Sequence, residues 1–207
     1  TAKASHSNSP GFIVFADFSS QDFRGWFLEG EAFGADPASS GDWIVSDTDQ
    51  PVVALLSESA AHSGILSREL QGVLRSPTFT ITNRYLHLRL AGRDSRVNVF
   101  IDNFALIQSP IYGSLRQVLN HDDFRWLTID LSMWIGHRAY LEFSDISTPD
   151  LAGGGTTEGY ASKGFIGVSR ILFSHDKSPI NEPMPLTSLV LLCETPVDSI
   201  QTLSSRY

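Results

Sequence analysis

Between residues 85 and 101, apolar side chains recur at every second position. Leu86, Leu88 and Leu90 alternate with Tyr85, His87 and Arg89, and Val97, Val99 and Ile101 alternate with Arg96, Asn98 and Phe100. A period of two places one side of an extended strand in a core and leaves the other side outside it. A helix would need its apolar residues three and four apart. The alternation returns in Leu127, Ile129 and Leu131 against Trp126, Thr128 and Asp130, and again in Ala139, Leu141 and Phe143 against Tyr140 and Glu142.

Shorter apolar or extended segments lie at 12–15, 25–33, 52–56, 73–81 and 164–173. Pro77 excludes a regular central position in the 73–81 segment. Arg93-Asp94-Ser95-Arg96 reads as a connection between two strands, and 104–107 as a hairpin return over an Asp102-Asn103 turn. Nothing before residue 186 sustains a helical period. Many short strands with frequent turns predict an all-β fold, a jelly-roll β-sandwich of two antiparallel sheets. Residues 1–11 form a loose lead-in and 12–175 the sandwich. Residues 176–207 begin with Pro179, Pro183 and Pro185 and form an irregular or short helical tail leading to a further domain.

The chain of 207 residues carries a formal charge of −8. That balance argues against a nucleic-acid binder, whose affinity comes from neutralising phosphates. The charge is unevenly placed. From Arg68 to Arg138 there are nine arginines and six carboxylates, a net of +3, which leaves the rest at −11. Arginine offers planar, two-pronged contacts to anions that lysine does not. Arg84, Arg89, Arg93 and Arg96 therefore suit a sulfated or carboxylated ligand. The lone cysteine, Cys193, excludes an internal disulfide. No apolar run approaches a membrane-spanning length.

Catalytic signatures are missing from the pattern. The six histidines are scattered, and no metalloprotease, nucleophile-elbow or phosphate-loop motif occurs. Gly153-Gly154-Gly155 has no Gly-Lys-Ser/Thr after it. Asp102 and Glu142 are the carboxylates to consider as a glycosidase pair, which requires a set separation across a sugar. Asp122-Asp123 beside His121 reads as a turn.

The ordered motifs Phe15-Ala16-Asp17-Phe18, Gly25-Trp26 and Gly30-Glu31-Ala32-Phe33-Gly34 resemble the opening of a carbohydrate-binding-type jelly roll. Gly72-Val73-Leu74-Arg75-Ser76-Pro77-Thr78-Phe79 and Val99-Phe100-Ile101-Asp102 are similar to later elements of the jelly-roll modules attached to fructan-cleaving glycosidases. Ile101-Asp102-Asn103-Phe104, Pro110-Ile111-Tyr112-Gly113 and 134–142 resemble, more closely, the carbohydrate-binding-module-like domain of large planctomycete-type cytochrome-linked proteins. The resemblance spans 12–175. It implies a non-catalytic polysaccharide-binding module, exported and part of a larger protein. The relatives carry acids where this chain has Ser19 and Ser169. No cofactor is required; a structural calcium would fall to backbone carbonyls with Asp17 or Asp145.

Sugars present hydroxyls and flat C–H faces, which planar side chains, arginines and carboxamides or carboxylates can meet. The outward side of the alternating strands supplies His87, Arg89, Arg96, Asn98, Trp126, Tyr140 and Glu142, alongside Tyr85, Phe100 and Thr128. The loops add Arg93, Asp102, Asn103, Tyr112 and Arg116. If the strands neighbour one another, the first set lines one sheet face. The alternatives are a structural or interaction module packed on its neighbours and, more weakly, a glycoside hydrolase or lyase.

Overall fold

The computed structural model describes residues 11–20, 22–44, 54–103, 105–106, 109–110, 113–145 and 164–178. Its strands are β1 (Phe12–Ala16), β2 (Phe27–Gly30), β3 (Trp43–Ile44), β4 (Ala54–Leu55), β5 (Ala61–His62), β6 (Gly72–Arg75) and β7 (Phe79–Thr80). They continue with β8 (Tyr85–Ile101), β9 (Ala105–Leu106), β10 (Ser109–Pro110), β11 (Arg116–Asp130), β12 (Arg138–Ser144) and β13 (Phe165–Ser174). Two single-turn 3-10 helices, Gly113–Leu115 and Ser132–Trp134, interrupt them. Pro77 separates β6 from β7, as a residue without an N–H donor must in a sheet.

The fold is an all-β sandwich of the jelly-roll kind, made by curling one antiparallel sheet on itself. The strand order is β1-β13-β8-β12-β6-β2, with β11 along the other edge of β8. β8 does the curling. Its first half pairs with β13 from Tyr85 to Arg93, and its second half pairs with β12 from Arg96 to Ile101. β11 runs beside both halves, so one long hairpin belongs to both layers.

This corrects the reading of 93–96 as a connection: β8 passes through it without a break. The hydrophobic parity still changes there, from even positions (Leu86, Leu88, Leu90) to odd ones (Val97, Val99, Ile101). Asp94 adopts φ 48° at the change, its N–H bonded to Asn120 Oδ1 at 3.0 Å. The partner strand bulges opposite, with register shifts between Leu119 and Arg125. An extra residue inverts which side chains face inward. The same device appears in β13, whose register shifts between Val168 and Arg170. It moves the buried set from Ile166 and Val168 to Ile171 and Phe173.

The hairpin return is corrected too: β9 pairs with β10 rather than returning along β8. Asp102 and Asn103 do form a tight turn, with φ 50° and 60°. β11 begins at Arg116, ten residues before Trp126, where the alternation that marks it in sequence starts. Phe104, Ile107, Tyr112, the triple-glycine loop and the tail with Cys193 lie outside the described residues.

One core joins the two layers. Leu86, Leu88 and Leu90 meet Val97, Val99, Leu141, Phe143, Leu74, Ile166 and Ile171 in a single buried cluster. Each such side chain contributes about 1.5–3 kcal/mol by leaving water. Phe15 closes one end, edge-on to Phe79 and Phe173 at ring-centre distances of 5.2 and 5.6 Å.

Candidate binding surface

The curl divides the outward residues of β8 between two opposite surfaces. The expectation that they line one face is therefore corrected: His87, Arg89 and Trp126 go to one layer, and Arg96, Asn98, Tyr140, Glu142 and Arg116 to the other. The cause is again the parity change at Asp94, together with the switch of partner strand from β13 to β12.

On the first layer, His87 is buried. Its Nδ1 lies 2.9 Å from Thr128 Oγ1, and its Nε2 lies 2.8 Å from Ser174 Oγ and 3.1 Å from the Asp176 carbonyl. Burial holds its pKa below the usual histidine range. Arg89 Nε donates to both carboxylate oxygens of Glu58, at 2.8 and 3.0 Å, and its guanidinium sits 5.8 Å from the Trp126 ring centre. These groups satisfy one another, as buried polar groups generally do. The histidine is closed in by these bonds, while the indole stays half-buried beside Arg89.

The second layer is arranged differently. Directly opposed residues of antiparallel strands share a face. The register therefore sets Phe27, Arg75, Glu142, Asn98 and Arg116 in one line across β2, β6, β12, β8 and β11. At about 4.8 Å per strand the line spans about 19 Å. Arg75 Nε donates to Glu142 Oε2 at 2.8 Å, and Asn98 Nδ2 donates to Glu142 Oε1 at 3.1 Å. The Arg75 guanidinium covers the Phe27 ring at 5.4 Å, while Phe27 keeps 53% of its surface exposed. Asn98 is fully buried, and its Oδ1 has no hydrogen-bond partner among the described residues. In the next row toward the turn, Tyr140 stacks on Phe100 with ring centres 5.0 Å apart. Burial, and then the Glu142 charge, pushes the Tyr140 phenol pKa up.

Phe27 and Arg75 belong to this surface and were not foreseen. Their strands have four residues each, too few for alternation to declare a face. The signal was the Gly72-Val73-Leu74-Arg75 segment, where Leu74 is inward and Arg75 outward.

The loop residues are dispersed. Arg93 pairs with Asp122 through both Nε and Nη2 at the exposed middle of the long hairpin. Asp102 and Asn103 sit at the far end of β8. There Asp102 Oδ2 meets His137 Nδ1 at 2.6 Å, and Oδ1 accepts the Arg138 N–H at 3.0 Å. Those two bonds, His137 first, hold the Asp102 carboxyl below the usual range. Each member of the Asp102–Glu142 pair thus has its own dedicated partners.

The two candidate metal ligands behave unlike each other. Asp17 Oδ1 accepts both the N–H (3.0 Å) and the hydroxyl (2.8 Å) of Ser19, a local turn that lowers its pKa. Asp145 is 2% exposed; its Oδ1 accepts the Gly72 N–H at 2.6 Å, and its Oδ2 has no partner among the described residues. Burial pushes its pKa up to about 6. Among the described residues no three His, Cys, Asp or Glu gather as metal ligands.

No protein-family model and no curated protein sequence matches the chain. Solved structures do, at low identity. A cleaved adhesin domain of Lys-gingipain is 14% identical, with 79% of this chain and 99% of that chain covered and a TM-score of 0.46. TmCBM61, solved with β-1,4-galactotriose, is 8% identical, with 80% and 99% covered and a TM-score of 0.45. A family 29 carbohydrate-binding module is 12% identical, with 82% and 99% covered and a TM-score of 0.37.

Proposed function

We propose that this domain is a non-catalytic carbohydrate-binding module that holds a polysaccharide along the outer face of β2, β6, β12, β8 and β11. The observation that supports this is the line Phe27–Arg75–Glu142–Asn98–Arg116. It offers an exposed ring for a sugar's C–H face and two guanidinium groups for hydroxyls, set in register on either side of the buried Glu142–Asn98 pair. Arg75 and Asn98 brace Glu142, so the line is ordered before a ligand arrives, which reduces the entropy lost on binding. A polysaccharide ligand fits an exported module. Among the described residues no helix is long and apolar enough to cross a membrane.

A preference for anionic glycans rests on a subset of the arginines. Arg89 and Arg93 already face Glu58 and Asp122. Arg75, Arg96 and Arg116 share the proposed face with Glu29 and Glu142 among the described residues. The test is a glycan array followed by electrophoresis in gels containing neutral or sulfated polysaccharides. Retention by at least one polysaccharide, reduced at least tenfold by Phe27→Ala, is the expected result. Absence of retention in every gel overturns the reading. Release of reducing sugar would turn the module into an enzyme.

Ile13 and Val14 favour a second reading as a docking module. They are 57% and 53% exposed on β1, which ends the strand order of the sheet. Unpaired strand edges with apolar side chains invite another chain.

A further inference from the structure

We propose a second saccharide subsite at the turn that ends β8, taking a single neutral pyranose ring by two adjacent hydroxyls. It rests on the carbohydrate-binding reading above and occupies different residues. Thr78, Asp102, Asn103, Arg138 and Ala139 line an open depression of about 210 Å³ there. Sites for drug-sized ligands run from roughly 300 to 1,000 Å³. This one suits one ring rather than an oligosaccharide.

The polar lining matches the two kinds of hydrogen bond a diol requires. Arg138 brings a forked donor, Asn103 and Thr78 donate or accept, and Asp102 accepts. A carboxylate has roughly four acceptor positions, and the bonds from His137 and Arg138 N–H leave the others open. The charges of Arg138 and Asp102 offset each other, so a sulfate or carboxylate gains no net attraction there, whereas a neutral diol can use the donor and the acceptor together.

The backbone is also built for the task. Two successive non-glycine residues, Asp102 and Asn103, hold left-handed φ values of 50° and 60°. Such conformations are costly for L residues and persist where surrounding bonds enforce them. Here the Asp102 N–H donates to the Arg138 carbonyl at 2.7 Å while the Asp102 side chain takes the Arg138 N–H. His137 is a positioning residue: its Nδ1 fixes the second carboxylate oxygen. Asp102 therefore stays ionised and aimed, and the turn pays no reorganisation on binding.

The experiment is a titration of the isotope-labelled protein with methyl galactoside, methyl mannoside and methyl glucoside, followed by amide NMR. Gel retention by polysaccharide is measured in parallel. The expected result is saturable shifts at Thr78, Asn103 and Arg138 with at least one glycoside, weakened at least tenfold in Arg138→Ala. That variant removes only an exposed side chain, so the backbone bonds of the turn remain, and its polysaccharide retention should change less than twofold. His137→Ala should weaken the same shifts by a smaller factor, with His137→Gln recovering part of it. Retention without any glycoside shift overturns the subsite and leaves the polysaccharide reading standing. Absence of both overturns both. Tighter binding of a sulfated glycoside, or joint loss of both readouts in Arg138→Ala, overturns a separate neutral subsite.

Discussion

Asn98 and Glu142 stand directly opposite each other on β8 and β12, joined by a 3.1 Å bond from the carboxamide to the carboxylate. Both are buried, and Arg75 closes the other side of the carboxylate. Hydrogen bonds to a charged group contribute about 1.5–3 kcal/mol. A double-mutant cycle of Asn98→Ala and Glu142→Ala, read by urea denaturation, should show a coupling of about 1.5 kcal/mol. Additive losses would show that the pair contributes nothing beyond its separate members.

Asp145 makes stability depend on pH in a direction opposite to that of most carboxylates. Its folded pKa of about 6 lies above the ordinary 3.8, so the folded state holds the proton more tightly than the unfolded one. Its contribution is fully favourable below pH 3.8, falls as pH rises and is gone above about 6. The two-unit difference corresponds to about 3 kcal/mol. Urea midpoints should drop between pH 4.5 and 6.5 in the native protein relative to Asp145→Asn. The carboxamide variant should be the more stable of the two at pH 7.

Gly30 and Gly136 both have positive φ, at 77° and 91°, but differ in surroundings. A Cβ on Gly30 would lie 2.3 Å from the Gln71 carbonyl oxygen, whereas one on Gly136 would meet nothing within 4 Å. Gly136→Ala should cost about 1–2 kcal/mol, the left-handed penalty alone. Gly30→Ala should cost about 3 kcal/mol or more, because the β2–β6 pairing must shift as well. Equal losses of thermal stability would contradict the geometry.

The arginines should separate by location in a binding assay. Arg75→Ala removes the brace of Glu142 and the cover of Phe27, and polysaccharide retention should fall at least tenfold. Arg93→Ala disturbs an exposed pair with Asp122, far along the hairpin, and should change retention less than twofold. If retention on sulfated polymers falls with Arg93→Ala and stays with Arg75→Ala, the ligand lies elsewhere.

Alternation made β8, β12 and the second half of β11 readable, because each packs one side in the core. The bend was readable only as a change of parity at 91–96. A loop and a bulge both produce that change, and the choice depends on Asn120, 26 residues away, accepting the Asp94 N–H. The residues between the core positions take the other side of each strand, where His87, Asn98, Phe100 and Glu142 are buried as well, and which sheet carries them depends on β8 exchanging partners. Arg75 illustrates the same limit. Its importance comes from Glu142, 67 residues later, and no local pattern encodes that meeting.

β1 and β13 lie side by side and run in opposite directions, with Phe12 opposite Ser174. A pull on the chain at residues 11 and 175 therefore enters at the same end of this pair. The tension falls on the Phe12–Ser174 link first and on each later link only after the one before has parted. Such a seam peels like a zipper, whereas strands dragged lengthwise past each other share the load. Under stretching, β1 should be the first element to yield, at low force, while the long β8–β11 hairpin still holds the two layers together.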